Sequence, residues 1–194
     1  MCSSDLMSDE DRISAFESMH KACLRVNDIA GQVTLLADHQ RGRLESNHVP
    51  INVSELVEEI RDAFDGFDRE RIDNRLDRDD IVFSDPDLFP TILKNIISNA
   101  LRFSPAGEPV LVSGKKDEDR YCLCVRDFGG GIPLEKEGEI FEPFVRLGNV
   151  MHHTRGTGLG LHIVRNLSLL LDIRTSIDSS PGDGTTFKLF IPLG

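Results

Sequence analysis

Asn95 and Asn99 stand one helical turn apart in the stretch Asn95-Ile-Ile-Ser-Asn99-Ala100-Leu-Arg102-Phe103. On a helix both amides project from one face, and Arg102 and Phe103 continue that side a turn later. Amide oxygens are hard ligands that suit Mg²⁺, which completes its octahedral shell with water and nucleotide phosphates. Asp127 closes an apolar run and precedes Gly129-Gly130-Gly131-Ile132-Pro133, so the backbone turns sharply beside a carboxylate at the edge of the core. A carboxylate there can accept from the exocyclic amine of adenine and discriminates against guanine. Gly156-Thr157-Gly158-Leu159-Gly160 opens an apolar helix through Leu161, Ile163, Val164 and Leu167, whose free N–H groups and dipole make an anion site. This loop has neither the lysine of a P-loop nor the preceding strand of a dinucleotide-binding turn. Taken singly, each feature has an ordinary reading: surface asparagines, a strand-end aspartate, a helix start. Together they supply contacts for metal, adenine and phosphate, and imply a pocket for Mg-ATP.

The elements that must hold these groups follow from periodicity. From Asp9 to about Gly42 there is no proline, and Phe16, Met19, Cys23, Val26, Ala30, Val33 and Ala37 alternate steps of three and four, a coiled-coil-like seam. A lone helix cannot bury such a stripe, so it calls for another helix, a second protomer, or its own domain. Val49 to Val53 reads as a short extended piece, followed by an amphipathic helix from Ser54, taken as its cap, to Phe64. Residues 65–80 are charge-rich and read as a turn and an edge strand, and Ile81 to Phe83 as a firmer strand. Ser84-Asp85-Pro86 starts the helix that carries the asparagines. Strands are expected at 109–115, 121–126, 174–178 and 185–192, with a helix at about 159–171 and short helical turns at most over 128–157. Without strict strand–helix alternation, α+β layering is favoured over a doubly wound parallel sheet.

Composition bounds the rest. The chain has 194 residues, 39% of them apolar, enough for one domain with an appendage. A net charge of −11 and no basic run longer than Lys115-Lys116 argue against nucleic acid. Four scattered cysteines fit a reducing cytosol; only Cys122 and Cys124 are close, and their spacing on one face of a strand suits core packing better than a disulfide or a zinc site. No apolar run approaches the length needed to span a bilayer, so no membrane contact and a cytoplasmic location are expected of this segment. Residues 1–8 look foreign to the helix that follows, which suggests a natural protein longer at its N-terminus.

The Asn-x-x-x-Asn-Ala helix, Asp-x-Gly-x-Gly, Phe141-Glu-Pro-Phe144, Gly-Thr-Gly-Leu-Gly-Leu and Gly182-x-Gly184-Thr-Thr-Phe187 occur in the order seen in the catalytic domain of sensor histidine kinases, which the chain resembles. The resemblance is specific over residues 81–192 and looser over 9–80. It implies a two-layer α/β sandwich of Bergerat type, a mixed sheet backed by three helices and preceded by a long N-terminal helix. It further implies a dimerisation-type helix and linker at 9–48 and an ATP-binding catalytic domain at 49–194. By position, Asn95 and Asn99 resemble metal and phosphate ligands, Arg102 the basic phosphate contact, Phe103 the ring beside the nucleotide, and Asp127 the adenine reader. Gly129, Gly131 and Ile132 would shape that wall. Gly156, Thr157, Gly158, Leu159, Gly160 and Leu161 would form the phosphate-side hinge of a lid at 145–155, with Arg146 a phosphate contact and Thr185 supporting the adenine end. Arg102 and Phe103 stand where Lys and Tyr are commoner in the family, and keep the charge and the ring.

Hydrolytic members of the wider group carry a water-activating Glu where this chain has Asn95, so delivery of the γ-phosphoryl group to an external nucleophile is favoured over hydrolysis. In the family that nucleophile is a histidine. His20 is the one early candidate, but Lys21-Ala22-Cys23 follows it instead of the family's acidic residue and arginine, and its stretch resembles the second helix of the dimerisation hairpin. His39, His48, His152, His153 and His162 have no partner motif. The acceptor is therefore expected on a helix not evident in this chain. Expected partners are that helix or a second protomer in a homodimer, and a response-regulator receiver domain. A stand-alone protein kinase of the same fold acting in trans, of the anti-sigma-factor type, and a non-catalytic nucleotide-binding or dimerisation module remain rival readings.

Overall fold

A computed structural model describes residues 9–117, 119–145 and 157–193. The chain divides into two compact units, Met1–Arg43 and Leu44–Gly194. The first holds one long helix, α1 (Asp9–Gln40). Its predicted seam faces solvent: Phe16, Met19, Cys23, Val26, Ala30 and Val33 are exposed and Ala37 half-buried. The helix thus carries an exposed apolar stripe among its described residues.

The second unit is built on a five-stranded mixed sheet ordered β2-β4-β5-β7-β6, from β2 (Ile72–Asn74), β4 (Val110–Asp117), β5 (Arg120–Asp127), β6 (Arg174–Ser180) and β7 (Gly184–Pro192). In this sheet β2 and β4 run parallel, β4–β5 and β6–β7 are antiparallel hairpins, and β5 pairs with β7 antiparallel across the long connection that carries residues 128–183. A separate antiparallel pair joins β1 (Val49–Asn52) to β3 (Ile81–Ser84). One face of the large sheet is covered by α2 (Val53–Asp62), α4 (Leu88–Phe103) and α5 (Gly160–Leu170), whose apolar stripes meet Val110, Val112, Tyr121, Leu123, Val125, Phe187, Leu189 and Ile191 in the core. The period-two alternation of β5 and β7 follows from this one-sided burial. The layering is the expected two-layer α/β sandwich.

Local details depart from the sequence reading. The N-cap of α2 is Asn52, whose Oδ1 accepts from Glu55 N at 3.0 Å, and Ser54 lies inside the helix, buried. The helix starts earlier because Asn52 ends β1 in extended backbone and offers its amide to the first turn. Residues 65–80 hold a short helix, α3 (Gly66–Arg71), before β2. It is too short for periodicity to show, and Asp65, accepting from Asp68 N at 3.3 Å, is its cap. Helix α4 begins at Leu88, after Asp85 has accepted the Asp87 and Leu88 N–H groups on Oδ1 and that of Asn47 on Oδ2. Burial works to raise the Asp85 carboxyl, but these N–H bonds and the nearby His48 outweigh it and hold the group below the usual carboxylate range.

Candidate functional site

Asn95 and Asn99 sit half-buried in the middle of α4, held there by Ile92, Leu93, Ile96, Ile97 and Ala100 on its core side. Asn95 donates Nδ2 to Thr91 O at 2.8 Å, which turns its Oδ1 toward the start of α5. A Cβ on Gly160 would lie 2.8 Å from that oxygen and 3.9 Å from Asn99 Nδ2, so the asparagine face and the first residue of α5 meet with no room for a side chain between them. Leu159 is the N-cap of α5 and no side chain among the described residues caps it, so its first N–H groups can serve another acceptor. Asn99 Oδ1 accepts from Arg102 Nη2 at 3.3 Å, and the Arg102 guanidinium lies 4.6 Å over the Phe103 ring, both side chains exposed on the same flank.

Asp127 terminates β5 opposite Thr185 of β7. Its Oδ1 accepts from Gly129 N at 2.8 Å and from Thr185 N at 3.3 Å, and Oδ2 takes no bond among the described residues. Burial pushes the carboxyl above the usual carboxylate range, against the lowering by the two N–H groups and by nearby Arg126. The following turn packs tightly on the end of α4: a Cβ on Gly129 would lie 2.6 Å from Phe103 O, and Phe128 N donates to Ser104 Oγ at 3.3 Å. Gly131 has φ +73° and its Cβ would collide with Ser180 O, so two separate demands fix glycine there. Ile132 N donates to Ser179 Oγ at 2.8 Å, and Ser179 Oγ in turn bonds Gly184 O and Thr185 Oγ1, each at 2.9 Å. One serine thereby joins the glycine turn after β5 to the β6–β7 hairpin.

Thr157 Oγ1 accepts from Leu159 N at 3.1 Å, and Phe144 N donates to Gly158 O at 2.9 Å. Leu159 is buried and Leu161 half-buried at the start of α5. His162 Nδ1 lies 3.0 Å from Phe141 O and Arg165 pairs with Glu142 at 3.3 Å, so Phe141-Glu-Pro-Phe144 is fastened to α5. Arg146, Gly156 and most of the expected lid lie outside the described residues, as do His152 and His153. His20 belongs to α1, in the other unit.

Sequence reading missed two residues that build the site. Ser179 lies near the end of β6, one of several serines there that look alike in sequence, and only the fold selects it. Arg71 is buried and donates to Leu101 O, Ser104 O, Pro105 O and Glu108 O at 3.0–3.2 Å and to Asp68 at 3.0 Å. It satisfies the free carbonyls at the C-terminus of α4 and so fixes the turn carrying Arg102 and Phe103. An arginine in a charge-rich stretch gives no hint of such a role.

Comparison with known proteins gives the chain a family. The family model described as histidine kinase-, DNA gyrase B- and HSP90-like ATPase matches residues 84–194, which hold both the asparagine helix and the glycine turns. The sensor histidine kinase RcsC of Salmonella typhimurium is 38% identical over 110 residues, 56% of this chain and 12% of that protein. The sensor-like histidine kinase SenX3 of Mycolicibacterium smegmatis is 37% identical over 112 residues, 57% of this chain and 29% of that protein. This chain therefore spans less than a third of either relative. In fold, the Acinetobacter baumannii histidine kinase AdeS superposes with a TM-score of 0.76 at 24% identity, over 97% of this chain and 87% of that one. With the match covering more than half of the chain and every motif that shapes the pocket, this protein belongs to the histidine kinase-, DNA gyrase B- and HSP90-like ATPase family.

Proposed function

We propose that residues 49–194 bind Mg-ATP and transfer its γ-phosphoryl group to a histidine not evident in this chain, as the catalytic portion of a two-component sensor kinase. The observation that carries the reading is the meeting of Asn95 Oδ1, Gly160 and the uncapped start of α5. It puts a hard oxygen ligand beside a ready anion site, the pairing a metal-bound triphosphate requires.

The residues present fit such a ligand. Asn95 already turns its oxygen to the glycine side, and Asn99 offers its own once Arg102 swings from it toward a phosphate. Mg²⁺ held by these amides would neutralise charge on the phosphates. At the other end Asp127 presents a buried carboxylate with Oδ2 unbonded among the described residues, suited to an adenine amine. Gly129, Gly131 and Ile132 wall that end, with Thr185 fixed beside it through Ser179. Phe103 and Arg102 flank the opening, and Thr157, Gly158, Leu159, Gly160 and Leu161 form the phosphate side, with Gly156 and Arg146 assigned there from the sequence pattern.

Asn95 in place of a carboxylate favours transfer over hydrolysis, because no acid stands on that turn to activate water. The relatives' names, sensor histidine kinases, support a histidine acceptor and a response-regulator receiver domain as the next partner. The exposed apolar stripe of α1 supports a dimerisation helix at 9–48, packing against an acceptor helix or a second protomer in the intact protein. No helix among the described residues is long and apolar enough to cross a membrane, and a cytoplasmic placement of this portion is part of the proposal.

The test is incubation of the purified chain with γ-labelled ATP and Mg²⁺, alone and with a histidine-kinase acceptor-helix fragment. Acid-labile label on the added helix alone is expected. Acid-labile label on the chain itself would make His20 the first acceptor to examine and overturn the reading of α1. Steady phosphate release with no label on either would replace transfer by hydrolysis.

A further inference from the structure

Along β5, Tyr121, Leu123, Val125 and Asp127 point into the helix-covered core, while Cys122, Cys124 and Arg126 lie on the opposite face of the sheet. Cys122 is buried and Cys124 half-buried, and their Sγ atoms are 3.7 Å apart. The cross-strand neighbours are Lys115 and Phe190 beside Cys122, and Ser113 and Lys188 beside Cys124.

This spacing is selective. Two sulfurs bound to one centre by bonds of about 2.3 Å stand about 3.8 Å apart at a tetrahedral angle and about 3.5 Å apart at a pyramidal one, against about 4.6 Å when the centre is linear. The thiols are therefore preset for a bent centre. Among the described residues no cluster of three His, Cys, Asp or Glu could hold a metal, so the four-ligand shell of a structural zinc is missing here. A disulfide is disfavoured too. Alternate residues of an extended strand place their Cβ atoms about 6–7 Å apart, well beyond the span of an S–S bridge, so oxidation would have to buckle β5.

We propose that Cys122 and Cys124 form a two-thiol clasp for trivalent arsenicals, which supply their own remaining substituent and need only two sulfurs held at a bent angle. With phenylarsine oxide as ligand, each S–H is exchanged for an S–As bond, both protons leave with the reagent's oxygen as one water, and arsenic stays trivalent. Cys124 is the point of entry, being the more accessible, and Cys122 closes the ring beneath it. Burial first, and then the adjacent Cys122, push the Cys124 thiol up to about 11 despite Lys188 and Lys115. That keeps the pair reduced and slow toward oxidants that need a thiolate, while condensation with an arsenic–oxygen bond carries its own proton acceptor.

The full chain carrying Cys2→Ser and Cys23→Ser leaves only this pair. Treated with phenylarsine oxide in excess glutathione, it is expected to gain the mass of one phenylarsine oxide less one water by intact-mass analysis, and to lose it on adding dimercaptopropanol. Adding Cys124→Ser, at the half-buried position, should weaken retention at least a hundredfold. No glutathione-resistant adduct on the two-cysteine chain, or undiminished retention in the Cys124→Ser variant, would overturn the proposal. The first of these readings needs no substitution in the core, so it decides the matter even if the variant folds poorly.

Discussion

Replacing Asp127 by Asn probes the adenine wall with almost no change of shape. In the native site Oδ1 faces two backbone donors, Gly129 N at 2.8 Å and Thr185 N at 3.3 Å, leaving Oδ2 for the nucleotide. An asparagine has one acceptor and one donor end. With its oxygen turned inward, the NH₂ group faces the adenine amine, donor against donor. Flipped, the NH₂ group faces the two backbone N–H groups instead. Either way a charge-assisted bond of about 1.5–3 kcal/mol is lost and a buried donor is left facing another, costing about 1–3 kcal/mol more. The sum, roughly 2.5–6 kcal/mol, corresponds to about sixtyfold to twenty-thousandfold in Kd. Titration calorimetry with a non-hydrolysable ATP analogue measures it directly. A second arm uses purine riboside triphosphate, which lacks the amine: removing the amine should weaken binding to the native chain and make little difference to the variant. Stability should move the other way. Asp127 titrates above its unfolded value, so it favours the folded state below about pH 3.8 and loses that contribution as pH rises through the raised folded pKa. Near pH 7 the native chain thus carries the cost of a desolvated charge, and the folded variant should resist urea at least as well. A folded Asp127→Asn chain that binds the analogue within threefold of native would refute the assignment.

Gly160→Ala places a methyl 2.8 Å from Asn95 Oδ1, so Mg-ATP affinity should fall at least tenfold, with a smaller loss for nucleotide in EDTA; calorimetry in the two buffers checks this. Asn99→Ala, at a half-buried position, should abolish measurable Mg-ATP binding while shifting the thermal midpoint by only a few degrees, read by circular dichroism. Arg71→Met should cost about 3 kcal/mol or more in urea denaturation, because carbonyls at the end of α4 lose their buried donor. For Asp85→Asn the effect depends on pH. The folded-state carboxyl titrates below its unfolded value, so its contribution is present above about pH 4 and lost as pH falls through the folded pKa. Denaturation at pH 7 should show the variant about 1 kcal/mol weaker, a gap that closes on acidification.

What could be read in the sequence was what one stretch of chain decides for itself. The stripe of α4 and the spacing of Asn95 and Asn99 fix a helix and its polar face together, and the alternation of β5 and β7 marks strands with one buried side. Asp127 and its glycines were legible as a strand end before a tight turn because that pattern is local, while a nucleotide role could be read only from the company of the other motifs. The unread parts depend on distant partners. Arg71 acquires its role from carbonyls 30 to 37 residues away, and Ser179 from Ile132, 47 residues back. Helix α3 is shorter than two turns, so no period could announce it, and the start of α2 was misplaced because Asn52 caps it while still ending a strand.

The bond from Thr185 N to Asp127 Oδ1 joins residues 58 apart, and it closes the end of the site proposed for adenine. No stretch of the nascent chain short of β7 contains both partners, so the site comes into being only with the last strand of the sheet. On the proposed assignment, full nucleotide affinity requires β7 in place, and forms of the chain without that strand should bind more weakly. By mass action a ligand at a hundred times its Kd holds the finished fold by about 2.7 kcal/mol and gives less to its precursors. Cellular nucleotide would thereby act as a proofreader of synthesis, protecting completed molecules from proteases while leaving unfinished ones to be cleared.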